Sequence, residues 1–80
     1  MNRRKLIARI LQGRADNNIP FSSVCSLLRS LGFTEHIEGS HHIFTRDDIV
    51  EIINIQPDKG QMKAYQVGQI RKLFKQYGIQ

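Results

Sequence analysis

Apolar residues recur along this chain with two different periods, and the change of period divides it. Leu6, Ile7, Ile10 and Leu11 fall on one face at helical spacing, which predicts a helix over residues 3–12 stopped by Gly13. Residues 14–20 form a polar connector rich in turn formers. Val24, Leu27, Leu28 and Leu31 predict a second helix over residues 22–31, with Ser22 or Ser23 placed to cap its free N–H groups. Gly32 supplies the left-handed residue that ends it, and Phe33 is expected to fold back toward Leu28.

Beyond Gly32 the period shortens. Phe33 to Ile37 begins extended structure, Gly39-Ser40 is a turn, and His41 to Thr45 is a second strand. Arg46-Asp47-Asp48 is turn-like, and Ile49 to Ile55 is a third strand rich in β-branched residues. Pro57 to Gly60 is a loop. Helical spacing returns over residues 66–77, where Val67, Ile70, Leu73, Phe74 and Tyr77 make a core stripe, and Gly78 closes the helix with Ile79 returning to Phe74. The expected fold is α+β, in the order helix, helix, three strands, helix: a three-stranded antiparallel sheet with helices on one face.

Size and charge narrow the function. A chain of 80 residues suits one domain, with residues 1–20 as its leading helix and connector. No apolar run is long enough to cross a bilayer, and Arg9 and Arg14 interrupt the stretch after the basic start, so neither membrane residence nor a secretory leader is expected and the cytoplasm is the default. Residues 1–20 hold five basic side chains and one acidic, residues 61–80 hold four basic and none acidic, and residues 21–60 hold three basic and six acidic. Cationic ends of this kind attract a phosphate polymer or an acidic protein. Cys25 is the only cysteine, which excludes an internal disulfide and a cysteine-rich zinc cluster and leaves it as a small buried hydrophobe.

The candidate chemistry centres on Gly39-Ser40-His41-His42-Ile43-Phe44. Imidazole moves protons near neutral pH. Strand alternation sends His41 and His42 to opposite faces, so one of them addresses a given surface, and the pattern alone does not choose. His42 is expected at the surface, with packing or orienting the motif as the alternative. Gly39-Ser40 shapes the turn, where Ser40 can donate to phosphate. Lys63 stands before the last helix, whose N–H groups also favour an anion. Tyr65 completes the core or stacks on a base. Arg71, Lys72 and Lys75 share a helical face that either follows an RNA backbone or serves solubility. Arg3, Arg4, Lys5 and Arg9 are either the charge that chain ends readily carry, RNA contacts, or a surface for a protein partner. His36 is isolated. The adjacent Asp47-Asp48 suits a solvated or capping turn better than a two-metal site, so no metal or other cofactor is required.

The hexapeptide resembles the signature of the HicA toxins, also called the YcfA-like family. Leu27-Leu28 with Leu31-Gly32-Phe33 is similar to that family's leucine-rich helix ending in a Gly-aromatic pair. Ile55-Gln56-Pro57 resembles the end of its third strand, Lys63-Ala64-Tyr65-Gln66-Val67 the entry to its last helix, and Tyr77-Gly78-Ile79 its C-terminus. The likeness covers roughly residues 21–80, and residues 3–20 look like the extra leading helix of the longer members. The resemblance implies a double-stranded-RNA-binding-like fold, a ribosome-independent mRNA endonuclease that is the toxin of a type II toxin-antitoxin system, and a cognate HicB antitoxin. It carries the catalytic role to His41, with Gly39 and Ser40 as the rest of the motif. Compact members have a histidine shortly after the third-strand proline; here that loop reads Asp58-Lys59-Gly60-Gln61, and His41 gains no partner from it. The rival readings are a non-catalytic RNA-binding module of the same fold, an adaptor for an acidic protein, and a DNA-binding regulator whose helix connector is too long for the usual tight turn.

Overall fold

The structure, a computed structural model, describes residues 2–80. Helix α1 spans Arg3–Gln12 and α2 spans Phe21–Ser30, with a single 3-10 turn, Asp16–Asn18, between them. Strands β1 (Thr34–Glu38), β2 (His41–Arg46) and β3 (Ile49–Ile55) come next, then α3 (Ala64–Tyr77). The strands pair antiparallel in the order β1-β2-β3. The element order and the α+β class are those expected from the periodicity.

The caps explain where the helices begin and end. The Asn2 side chain accepts from Lys5 N at 2.9 Å and starts α1. Gly13 takes φ 72° at its C-terminus. A Cβ there would lie 2.9 Å from the Arg71 guanidinium, so both conformation and close approach call for glycine. The expected serine cap of α2 is corrected. Pro20 occupies the N-cap with no side-chain bond, and Ser22 and Ser23 lie within the first turn. At this end Phe21 N donates to Gly60 O at 3.0 Å, while Met62 N donates to Ile19 O at 2.8 Å. These two bonds tie the start of α2 to the segment leading into α3. At the far end, Phe33 N returns to Leu28 O and Ile79 N to Phe74 O, as the glycine stops predicted.

The sheet buries one face. Ile49, Ile53 and Ile55 of β3 are buried, while Val50, Ile52 and Asn54 between them are exposed. On β2 the core face carries Phe44, fully buried, and half-buried His42 and Arg46. A bulge between Phe44 and Arg46 keeps Arg46 opposite Ile49. The helices cover this face with Leu6, Ile7 and Ile10 from α1, Val24, Cys25, Leu27 and Leu28 from α2, and Val67, Ile70, Leu73 and Phe74 from α3. The leading helix thus contributes to the same core as the rest. No helix among the described residues is long and apolar enough to cross a membrane.

Candidate active site

The β1–β2 connection is a two-residue turn. Gly39 alone of its pair has positive φ, at 60°, as the first central position of a type II′ turn requires. The turn pairs Glu38 with His41 and Ile37 with His42. His41 therefore stands on the open face of the sheet and His42 on the face covered by helices.

His41 is held on both ring nitrogens. Its Nδ1 lies 3.1 Å from Asn54 Oδ1 and its Nε2 lies 3.2 Å from Gln56 Nε2. The Gln56 amide nitrogen also donates to Ser40 Oγ at 3.0 Å, and its oxygen accepts from Lys63 Nζ at 3.3 Å. One side-chain amide thus connects the turn, the imidazole and an ammonium at the N-terminus of α3. Lys63 occupies the N-cap of that helix without capping it through a side-chain bond, which leaves first-turn N–H groups aimed outward beside its charge.

Gln66 fixes where Gln56 sits. It is 3 % exposed, and with its amide oriented to satisfy both contacts it accepts from Gln56 N at 3.2 Å and donates to Gln56 O at 3.1 Å. The backbone of Gln56 leaves the sheet just past Ile55, so this clasp replaces a missing strand neighbour. The Tyr65 hydroxyl lies 3.4 Å from the Gln66 amide, and Tyr65 itself is 62 % exposed. The expectation that Tyr65 completes the core is therefore corrected: as the second residue of α3 it lies on the outer side of the helix.

His42 supports the site from beneath. The expectation of simple surface exposure gives way to packing: its side chain is 23 % exposed, its Nδ1 is 2.7 Å from Glu35 Oε2, and its ring meets Phe21 edge-on at 4.8 Å. Arg29 pairs with the other oxygen of Glu35. The hydrogen bond from His42, and then the Arg29 guanidinium, hold the Glu35 carboxyl below the usual glutamate range against the opposing effect of burial. Cys25 Sγ lies 4.0 Å from His42 Nδ1, and Cys25, Glu35 and His42 bring one ligand atom each within 4.8 Å of one another. Burial, with Glu35 adding to it, pushes the Cys25 thiol up to about 11, and Glu35 is already shared by His42 and Arg29. This donor set fits a polar clasp between α2 and the sheet, and fits a metal poorly.

The basic face expected on α3 divides. Arg71 donates through Nη2 to Asp16 Oδ2 at 2.9 Å and through Nη1 to Asp16 Oδ1 at 3.0 Å and Ile10 O at 3.3 Å. Its guanidinium joins the leading segment to α3 and is not presented to solvent with Lys72 and Lys75, both of which are exposed. At 1.5 Å rise per residue Lys72 and Lys75 lie about 13 and 18 Å along α3 from Lys63. Asp48 caps nothing at the site; it pairs with Arg46, which also donates to Leu31 O at 2.8 Å. His36 lies near Glu38 at 3.1 Å on the open face.

Asn54 is a neighbour of His41 that the sequence pattern did not single out, whereas Gln56 and Gln66 stood in its motifs, Gln66 as a residue fixing the entry to the last helix, without a link to His41. Period-2 alternation places Asn54 on the same strand face as Ile52, but only the register, Asn54 opposite Ile43, brings it beside His41. A polar residue interrupting Ile52-Ile53-Asn54-Ile55 was the available signal.

The family model described as HicA toxin of bacterial toxin-antitoxin matches residues 21–79, well over half of the chain. No curated protein and no solved structure matches it.

Proposed function

The chain belongs to the HicA toxin family, a toxin whose activity an antitoxin partner restrains, and from that premise we propose that it is a metal-independent mRNA endonuclease with His41 as its general acid and base. The observation that carries this reading is the anchoring of His41 on the exposed sheet face, one amide away from Lys63.

RNA carries its own nucleophile, the 2′-hydroxyl. His41 takes the proton from that hydroxyl, the oxygen attacks the adjacent phosphorus, and the bond from phosphorus to the 5′-oxygen breaks. The proton passes from His41 to the departing oxygen, so the products are a 2′,3′-cyclic phosphate and a 5′-hydroxyl. Charge builds on the non-bridging oxygens as the phosphorane forms, and Lys63 with the α3 N-terminus lies where that charge would be met. Gly39 and Ser40 let the backbone and a hydroxyl approach the phosphate. Lys72 and Lys75 hold the strand farther along, and Tyr65 offers a ring for an unpaired base. Arg71 takes no part in this reading, since its charge is matched by Asp16.

A HicB-like antitoxin is the partner we infer, silencing the toxin by covering His41 and Lys63, with residues 1–80 acting as one unit in the cytoplasm. Purified protein incubated with messenger RNA in excess EDTA tests the reading. Wild type cuts and leaves cyclic phosphate ends, whereas His41→Ala binds RNA, stays folded and loses at least about 100-fold in rate. Equal binding by both without cleavage by either would make the chain a non-catalytic RNA-binding module instead.

A further inference from the structure

The hydrogen bonds around His41 settle more than its position, because each of them has a direction. Lys63 Nζ has only protons to offer, so the Gln56 amide must turn its oxygen toward it. The amide nitrogen then faces His41 Nε2 at 3.2 Å and Ser40 Oγ at 3.0 Å, and its two protons match those two acceptors. A ring nitrogen that accepts carries no proton. In neutral imidazole the proton is then on Nδ1, where Asn54 Oδ1 at 3.1 Å accepts it. The reverse arrangement sets an N–H of His41 against the N–H groups of Gln56. Relieving that clash by rotating the amide would aim its nitrogen at Lys63.

We propose that Asn54 and Gln56 are positioning residues that lock neutral His41 with its proton on Nδ1 and Nε2 bare toward the RNA 2′-hydroxyl. The tautomer is a property of the folded chain; its catalytic consequence rests on the endonuclease reading above. An incoming hydroxyl replaces one Gln56 proton at Nε2 while the other stays on Ser40. His41 Nε2 takes the hydroxyl proton as the new oxygen–phosphorus bond forms and gives it to the 5′-oxygen as that bond breaks. Nδ1–H remains on Asn54 in both protonation states, so the ring does not rotate during the cycle. Lys63 has two duties here, as a charge near phosphate and as the group that orients the amide.

Nitrogen-15 NMR of the histidine-labelled protein without RNA, recorded at a pH where His41 is neutral, reads the tautomer. Wild type is expected to show Nδ1 protonated and Nε2 bare. Asn54→Leu removes the acceptor, moves the population toward protonated Nε2, and lowers kcat on RNA by at least about tenfold with KM little changed. Asn54→Asp keeps an acceptor and restores the wild-type tautomer. Gln56→Glu puts an acceptor against Nε2 and keeps a partner for Lys63, so the proton of the neutral ring moves toward Nε2 as the Asn54 amide turns its nitrogen to Nδ1; it also serves if Asn54→Leu unfolds. Protonated Nε2 in wild type overturns the proposal. So does a tautomer unmoved by both Asn54→Leu and Gln56→Glu, or one that moves while kcat stays constant. If His41→Ala cuts RNA as fast as wild type, the endonuclease role of His41 fails on its own, and the NMR assignment still stands or falls separately.

Discussion

Gln66 shows how a single buried amide can hold a surface site in place. It satisfies both backbone polar groups of Gln56 at a point where the chain has left the sheet. Gln66→Leu roughly keeps the volume and removes both bonds, leaving the half-buried Gln56 N–H and C=O without them. The expected loss is about 2 kcal/mol of stability, read by urea denaturation, together with slower RNA cleavage, because Gln56 carries the contacts to His41. Glu35 gives a second residue-scale expectation, in pH. Its carboxyl titrates below the ordinary glutamate value of 4.5 because His42 and Arg29 hold its charged form. The stabilisation is present above that ordinary value and is lost as pH falls through the lower folded value. Glu35→Gln should therefore be less stable than wild type at neutral pH, with the gap closing on acidification; a gap constant from about pH 7 to about pH 3 would refute the coupling.

Between elements, the Arg71–Asp16 pair decides what the charged face of α3 is for. The side chains are 21 % and 19 % exposed, and the guanidinium also reaches a carbonyl of α1. Arg71→Met strands the Asp16 carboxylate, at a cost of about 2 kcal/mol given the partial exposure. RNA affinity should change little. Lys72→Ala with Lys75→Ala should do the opposite: stability near wild type, and a logarithmic salt dependence of RNA binding shallower by about 1.4. Gly13 lies under the same guanidinium. Gly13→Ala imposes a left-handed conformation on alanine and pushes Arg71 aside, so a loss of at least about 1 kcal/mol is expected in thermal unfolding. The helical spacing of Arg71, Lys72 and Lys75 suggests one shared face. It gave Arg71 the wrong surroundings because Asp16 lies 55 positions away in sequence, and helical periodicity is silent about such partners.

Over the whole molecule, local signals carried the fold. Two periods, three glycine stops and a β-branched run sufficed for α1 to α3 and the strand order, and the chain ends its helices through Gly32-Phe33 and Gly78-Ile79 as anticipated. Lys63 at the mouth of α3 was also legible, and the family motif pointed to His41 where strand alternation left both histidines open. Asn54 and Gln56 were not legible, because their value depends on the register of β2 against β3 and on how β3 hands over to the α3 segment. The α2 start illustrates the same gap: a serine cap was the local choice, but Pro20 holds the N-cap and a backbone carbonyl from residue 60 takes the Phe21 N–H.

That carbonyl has a consequence for chain length. Ile19 and Phe21 grip the strip from Gly60 to Met62, immediately before Lys63, and Ile19 belongs to the portion preceding the family match. Removing residues 2–20 would strip Leu6, Ile7, Ile10 and Ile19 from the interior and release one of the two stitches that aim the lysine. A shortened version of this chain should accordingly lose its aim before it loses its imidazole.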